Sequence, residues 1–132
     1  MDWILGRLAC GSLADMDTLP AAVTVVVNLS QHVSAAAVPV LHHEIPDEVW
    51  LDAPVWSGLT HLLGGLLQRG DTVLVHCRLG VSRAPALCAA YLMRCGMAPA
   101  EALAHVTARR AAAVVHAETW RGVTQWAEGL RR

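Results

Sequence analysis

The chain has 132 residues, 55% of them hydrophobic and only 16% charged, with a mean hydropathy of +0.41. A chain of this length can bury roughly two thirds of its unfolded surface in one core, so a single domain spanning 1-132 is expected and disorder is excluded over most of it. Ten basic residues, all arginine, face eleven acidic ones for a net charge of −1, which leaves no cationic excess to favour nucleic acid. Apolar runs such as Ala21–Leu29 fall short of the ~20 residues a bilayer requires, and no basic segment leads into an apolar one as in a signal peptide. Cys10, Cys77, Cys88 and Cys95 form neither a CxxC pair nor a dense framework, which predicts free thiols in a reducing, cytoplasmic setting.

In chain order, Trp3–Cys10 predicts a small edge hairpin or a pair of short strands. Thr24–Leu29 is a β-branched run of the kind that forms a buried strand. Val38–Ile45 predicts a second strand, closed by Pro46. Asp52 before Ala53-Pro54 has the form of a helix N-cap, and Leu59, Leu62, Leu63, Leu66 and Leu67 then repeat at helical spacing to make one apolar face. Asp71–His76 predicts a third strand. Arg83–Cys95 repeats the helical pattern through Leu87, Cys88, Tyr91, Leu92 and Cys95, and Gly96 supplies a left-handed stop. Pro99 opens a helix to about Arg110, and a last helix from about Glu118 to Leu130 is expected to bury Trp120, Val123, Trp126 and Leu130. The alternation defines an α/β architecture: a central, at least partly parallel sheet flanked by helices.

The chemistry concentrates in His76-Cys77-Arg78-Leu79-Gly80-Val81-Ser82-Arg83, between a buried strand and a helix, where open α/β sheets bind ligands. A loop there can turn successive N–H groups toward one centre beside a helix N-terminus and form an anion nest. Gly80 permits the tight path. Such amides and the helix dipole favour a thiolate at Cys77, which makes it a nucleophile. Arg83, six positions on, can fold its planar fork over the same centre, and that fork suits bidentate recognition of a phosphate.

His-Cys-x5-Arg resembles the signature loop of the cysteine-dependent protein tyrosine phosphatase superfamily, and HCRLGVSRAP is most similar to its dual-specificity branch. The VVNL strand, the IPD segment, the leucine-rich helix and the RGDTVLVHC approach follow in the same order as in that branch, so the resemblance covers most of the chain. It implies a phosphomonoester hydrolase working through a phosphocysteine, with no cofactor and no metal. Cys77 would be the nucleophile, residues Arg78, Leu79, Gly80, Val81, Ser82 and Arg83 the phosphate site, and His76 a buried residue that helps hold the thiolate. The general acid of the branch lies about thirty positions upstream, often behind a proline, and Asp47 in Ile45-Pro46-Asp47 fits. Asp52 competes, although its place suits an N-cap. Glu48 is a weaker third, since a one-residue shift is expected to turn it away from the cleft. One departure stands out: where the branch usually has serine or threonine after the arginine, this chain has Ala84, so breakdown of the phosphoenzyme should be slow unless Ser82 substitutes. A phosphate-binding module without turnover is the alternative this departure favours, and a non-protein substrate such as an inositide or nucleotide is another. A phosphorylated protein or small phosphomonoester is the expected partner, met by a monomer.

Other residues read more plainly. Arg78 and the Arg109-Arg110 pair are expected to be solvated, with contact to acidic substrate groups as the sharper option. Cys88 and Cys95 are expected on the apolar helix face, and Cys10 in the core. Adjacent strand residues point to opposite faces, so at most one of His42 and His43 can aim at the cleft. Trp50 is expected to be buried rather than to wall the pocket.

Overall fold

The computed structural model describes residues 1–130. Strands β1 (Asp2–Leu5) and β2 (Leu8–Ser12) form a hairpin, and a 3₁₀ helix (Leu13–Thr18) follows. Next come β3 (Val25–Asn28), β4 (Val40–His42), α1 (Ala53–Gln68), β5 (Val73–Cys77), α2 (Arg83–Arg94), α3 (Pro99–Arg109) and α4 (Ala117–Gly129). The sheet runs β1-β2-β5-β3-β4. β1 and β2 are antiparallel and the other pairs parallel, so the fold is α/β with a mixed, mostly parallel sheet. The opening hairpin contributes only β1 to the edge, because β2 continues the parallel ladder onto β5.

The central strands β3 and β5 are buried at every residue, as parallel strands covered on both faces must be. Period-two alternation divides their side chains. Val73, Val75 and Cys77 join Val25, Val27, Leu8 and Cys10 in the large core beneath the helices. Leu74 joins Ala9, Val23 and Val26 in a smaller cluster covered by Met16, Leu19, Val38 and Val40. Cys77 therefore faces the helical layer, and its neighbour His76 faces the opposite side.

Helix α2 is the centre of that layer, packed by α1, α3 and α4. Sequence periodicity suggested one apolar face, but α2 is buried nearly all round, from Arg83 through Ala90 and again at Leu92 and Met93. Its alanines let three neighbouring helices approach closely, while Leu87 fills the core; full burial of such a side chain contributes about 1.5–3 kcal/mol. The stop at Gly96 is a left-handed residue with φ 111°. There the N–H groups of Gly96 and Met97 donate to the carbonyls of Met93 and Leu92, satisfying acceptors that a helix end leaves free.

Four expectations need correction. Ladder pairing in the Val38–Ile45 region covers only Val40–His42, because β3 is itself short, although His43 and Ile45 still donate their N–H groups to Asn28 and Leu29. Asp52 stands at the N-cap of α1 without a side-chain capping bond. Cys95 is exposed at the end of α2 rather than on its apolar face, whereas Cys10 and Cys88 are buried. In α4, Val123 and Trp126 are buried and Trp120 partly so, but Leu130 is exposed at the helix end. Among the described residues no helix is long and apolar enough to cross a membrane.

Candidate active site

Cys77 ends β5 and Arg83 begins α2, so the intervening loop occupies the C-terminal edge of the sheet. Cys77 is 2% exposed, and its Sγ accepts a bond from the N–H of Ala84 at 3.5 Å. The loop's conformation follows from where its carbonyls go. Arg78 O accepts from Leu13 N, Val81 O from Val114 N and Ser82 O from Ala86 N. Leu79 O and Gly80 O accept from the Arg110 guanidinium. Every carbonyl from 78 to 82 is thus drawn outward. Among the described residues, the N–H groups of the same segment donate to no protein acceptor, which is the arrangement of an anion nest. Gly80 has φ 68°, a left-handed conformation only glycine adopts without strain.

Arg83 is buried, and its Nη1 donates to the carbonyls of Leu29 and Ile45 and to Oε1 of Gln31. These bonds tie the guanidinium to the loops after β3 and β4. Its Nε has no hydrogen-bond acceptor and lies 3.5 Å from Asp47 Oδ1. A buried donor held only by an ion pair at this distance, with no hydrogen-bond acceptor among the described residues, costs stability unless a ligand meets it.

Asp47 and Glu48 line the same cleft of about 360 Å³ as Cys77, Arg78, Leu79, Val81, Ser82, Arg83, Val114 and His116; Asp52 does not. Glu48 is not turned away as strand alternation implies, because its φ of 58° breaks the extended backbone. Its N–H donates to Asp47 Oδ1, so the unusual backbone also holds the aspartate. Arg78 is exposed. Leu79 and Val114, 68% and 70% exposed, place apolar surface at the rim.

His76, next to Cys77 in β5, lies in a buried polar network. Nδ1 donates to the carbonyl of Cys77, which leaves Nε2 to accept from the Ser34 hydroxyl at 2.9 Å. Asn28, paired with His76 across β3 and β5, donates to Ser34 Oγ and to the His32 carbonyl. Burial holds the imidazole below its ordinary pKa, and its bond to Cys77 only partly opposes this. A neutral ring is what this donor and acceptor pattern needs.

The remaining cysteines are not placed for chemistry at the cleft. The Cys88 thiol is pushed well up by its hydrogen bond with Cys10 and by burial, which leaves it a core thiol. Trp50 is exposed, and its Nε1 donates to Gln125; it neither fills the core nor lines the cleft. His42 Nε2 donates to the carbonyl of Ser30, and neither it nor His43 lines the cleft. Among the described residues no group of three or more His, Cys, Asp or Glu side chains could hold a metal ion.

Several functional contacts are absent from the sequence reading. Ser34 and Gln31 come from a loop with no motif. His116 caps α4 and donates its N–H to Ser82 Oγ. Arg110 was expected to be solvated with Arg109; Arg109 is exposed, but Arg110 is 7% exposed and bonded to the loop. The Arg-Arg doublet is visible in sequence, but its direction is set by the end of α3.

The chain belongs to the dual specificity phosphatase catalytic domain family, whose model matches residues 20–129. Human dual specificity protein phosphatase 5 is 36% identical over 76 residues, which are 54% of this chain, and the chain spans 20% of the length of the curated relatives it matches. Human DUSP28 superposes with a TM-score of 0.87 at 26% identity, covering 99% of this chain and 98% of the other. The human tyrosine phosphatase-like serine/threonine/tyrosine-interacting protein reaches a TM-score of 0.90 at 24% identity, covering 100% and 98%, a likeness of fold.

Proposed function

We propose that this chain is a single catalytic domain that hydrolyses phosphomonoesters of proteins or small molecules in the cytoplasm. The observation that carries the reading is the loop itself: carbonyls 78 to 82 turned outward and, among the described residues, their N–H groups and the Nε of Arg83 without a hydrogen-bond acceptor, in the same cleft as the buried Cys77. Family membership supports phosphatase activity in general.

In this mechanism the Cys77 thiolate attacks phosphorus as the bond to the leaving oxygen breaks. Loop amides and Arg83 hold the non-bridging oxygens, stabilising charge where it develops. Asp47 gives its proton to the leaving oxygen, a contribution of ~10²–10⁴-fold in rate. The resulting carboxylate then takes a proton from water, whose oxygen attacks the phosphocysteine and returns Cys77 as thiolate. His76 holds the backbone on which the sulfur stands. The cleft is rimmed by Leu79 and Val114, which suits an aryl or alkyl phosphate presented at a surface.

A second reading, a phosphate-binding module with little turnover, is favoured by Ala84. Its N–H bonds the sulfur, but its side chain offers no hydroxyl, and the Ser82 hydroxyl, which accepts from the N–H of His116, makes no hydrogen bond to Cys77 Sγ among the described residues. Steady turnover of a chromogenic aryl phosphate, vanadate-sensitive and lost in Cys77→Ser, supports the hydrolase. Binding of phosphate without turnover supports the module.

A further inference from the structure

Three of the five outward carbonyls of the loop are held by backbone N–H groups, those of Leu13, Val114 and Ala86. The other two, Leu79 O and Gly80 O, depend on a single side chain. Arg110 Nε donates to Gly80 O at 2.7 Å, and Nη2 lies 3.5 Å from Leu79 O. Nη1 donates to Asp2 Oδ2 at 2.8 Å and lies 3.5 Å from Cys10 O. The guanidinium thus sits on the outer side of the loop, at the left-handed apex, where no strand or helix fixes the peptide planes.

We infer that Arg110 is a positioning residue that locks residues 79 and 80 in their anion-binding form, with Asp2 compensating its charge. This rests on the reading of residues 77–83 as a phosphate cradle. Without the fork, the peptide planes at Leu79 and Gly80 are free to rotate. A rotated plane replaces an N–H with a carbonyl oxygen on the inner side, and that oxygen repels an anion. Lysine keeps the charge but presents one ammonium where the planar fork reaches two successive carbonyls. Position 110 therefore needs arginine for shape and not only for charge.

The test compares alkylation of Cys77 by iodoacetate and iodoacetamide, which share a leaving group and differ in charge. Their rate ratio cancels the reactivity of the thiol and reports the anion preference of the loop. Arg110→Lys and Arg110→Gln should each lower the ratio about tenfold or more, in line with the sensitivity of such sites to ~1 Å displacements. Their vanadate inhibition should weaken in parallel. Asp2→Asn, which removes the charge partner but leaves both loop bonds, should lower Tm yet keep the ratio within about twofold. All variants are assayed below their own Tm; if Arg110→Gln does not fold, Arg110→Lys carries the comparison. A wild-type ratio in Arg110→Lys, an equal fall in Asp2→Asn, or no iodoacetate preference in the wild type would each overturn the inference. A normal iodoacetate preference without phosphatase turnover would instead count against hydrolysis while leaving the role of Arg110 standing.

Discussion

Gly80→Ala is the most informative single perturbation of the loop. With φ at 68°, an added Cβ would meet the carbonyl oxygen of Gly11 at 2.6 Å and its carbon at 2.7 Å, besides the Arg110 guanidinium. Gly11 is held in place because it sits in the ladder between β2 and β5, paired with His76. The left-handed backbone costs about 1–2 kcal/mol for a residue with a Cβ. Relieving the contact requires the loop to move away from β2, and the bond from Arg110 to Gly80 O then breaks, a loss of about 1.5–3 kcal/mol for a charged donor. The total is roughly 2.5–5 kcal/mol. If it falls on global stability, Tm should drop by roughly 9–18 °C for a chain of this size. If the loop opens locally, kcat/KM for an aryl phosphate should fall about 100-fold, as a ~1 Å misplacement predicts. Differential scanning fluorimetry and initial rates read both. A variant with unchanged Tm and kcat/KM within about threefold of wild type would refute the derived loop geometry.

Three further outcomes are expected. Ala84→Ser, which places a hydroxyl beside Sγ, should speed breakdown of the phosphocysteine, since a donor at a reaction centre is worth ~2.7–4 kcal/mol; rapid mixing should show a burst in the wild type and a smaller one in the variant, and an unchanged rate with no burst in either contradicts this. Asp47→Ala should slow alkyl phosphates far more than aryl phosphates with acidic leaving groups, whereas Asp52→Ala should show no such dependence, and the reverse pattern would reassign the acid. Burial lowers the pKa of His76 in the folded chain, so the unfolded chain protonates first as pH falls: the stabilisation is complete above about 6.5 and is lost toward the lower folded value. Urea midpoints measured between about pH 7 and about pH 5 should show this loss in wild type and not in His76→Gln, and parallel profiles would exclude His76 as its source.

The loop was legible because Cys77, Gly80 and Arg83 fall within one short segment, and strand-to-helix context is a local signal. The place of Asp47 at the cleft was legible through the proline before it. What escaped depends on long-range packing or on single backbone angles. Arg110 is thirty positions beyond Gly80 and looks like any helix-end arginine until α3 is docked against β1. Ser34 reaches His76 from an irregular loop. Glu48 faces the cleft only because its φ is positive, which residue type does not announce. Trp50 is large and apolar, yet its indole N–H finds Gln125 on the surface, so size alone misdirected the expectation of burial.

The central claim is that Cys77 carries the phosphoryl group in turn. Rapid quenching into alkaline denaturant after mixing with an aryl phosphate, which preserves the acid-labile sulfur–phosphorus bond, followed by peptide mass spectrometry, tests it directly. The account predicts a phosphoryl group on the peptide containing Cys77, approaching one equivalent because Ala84 slows its release, and none in Cys77→Ser. Steady turnover with no phosphorylated Cys77 at any time, or turnover that persists in Cys77→Ser, would contradict it.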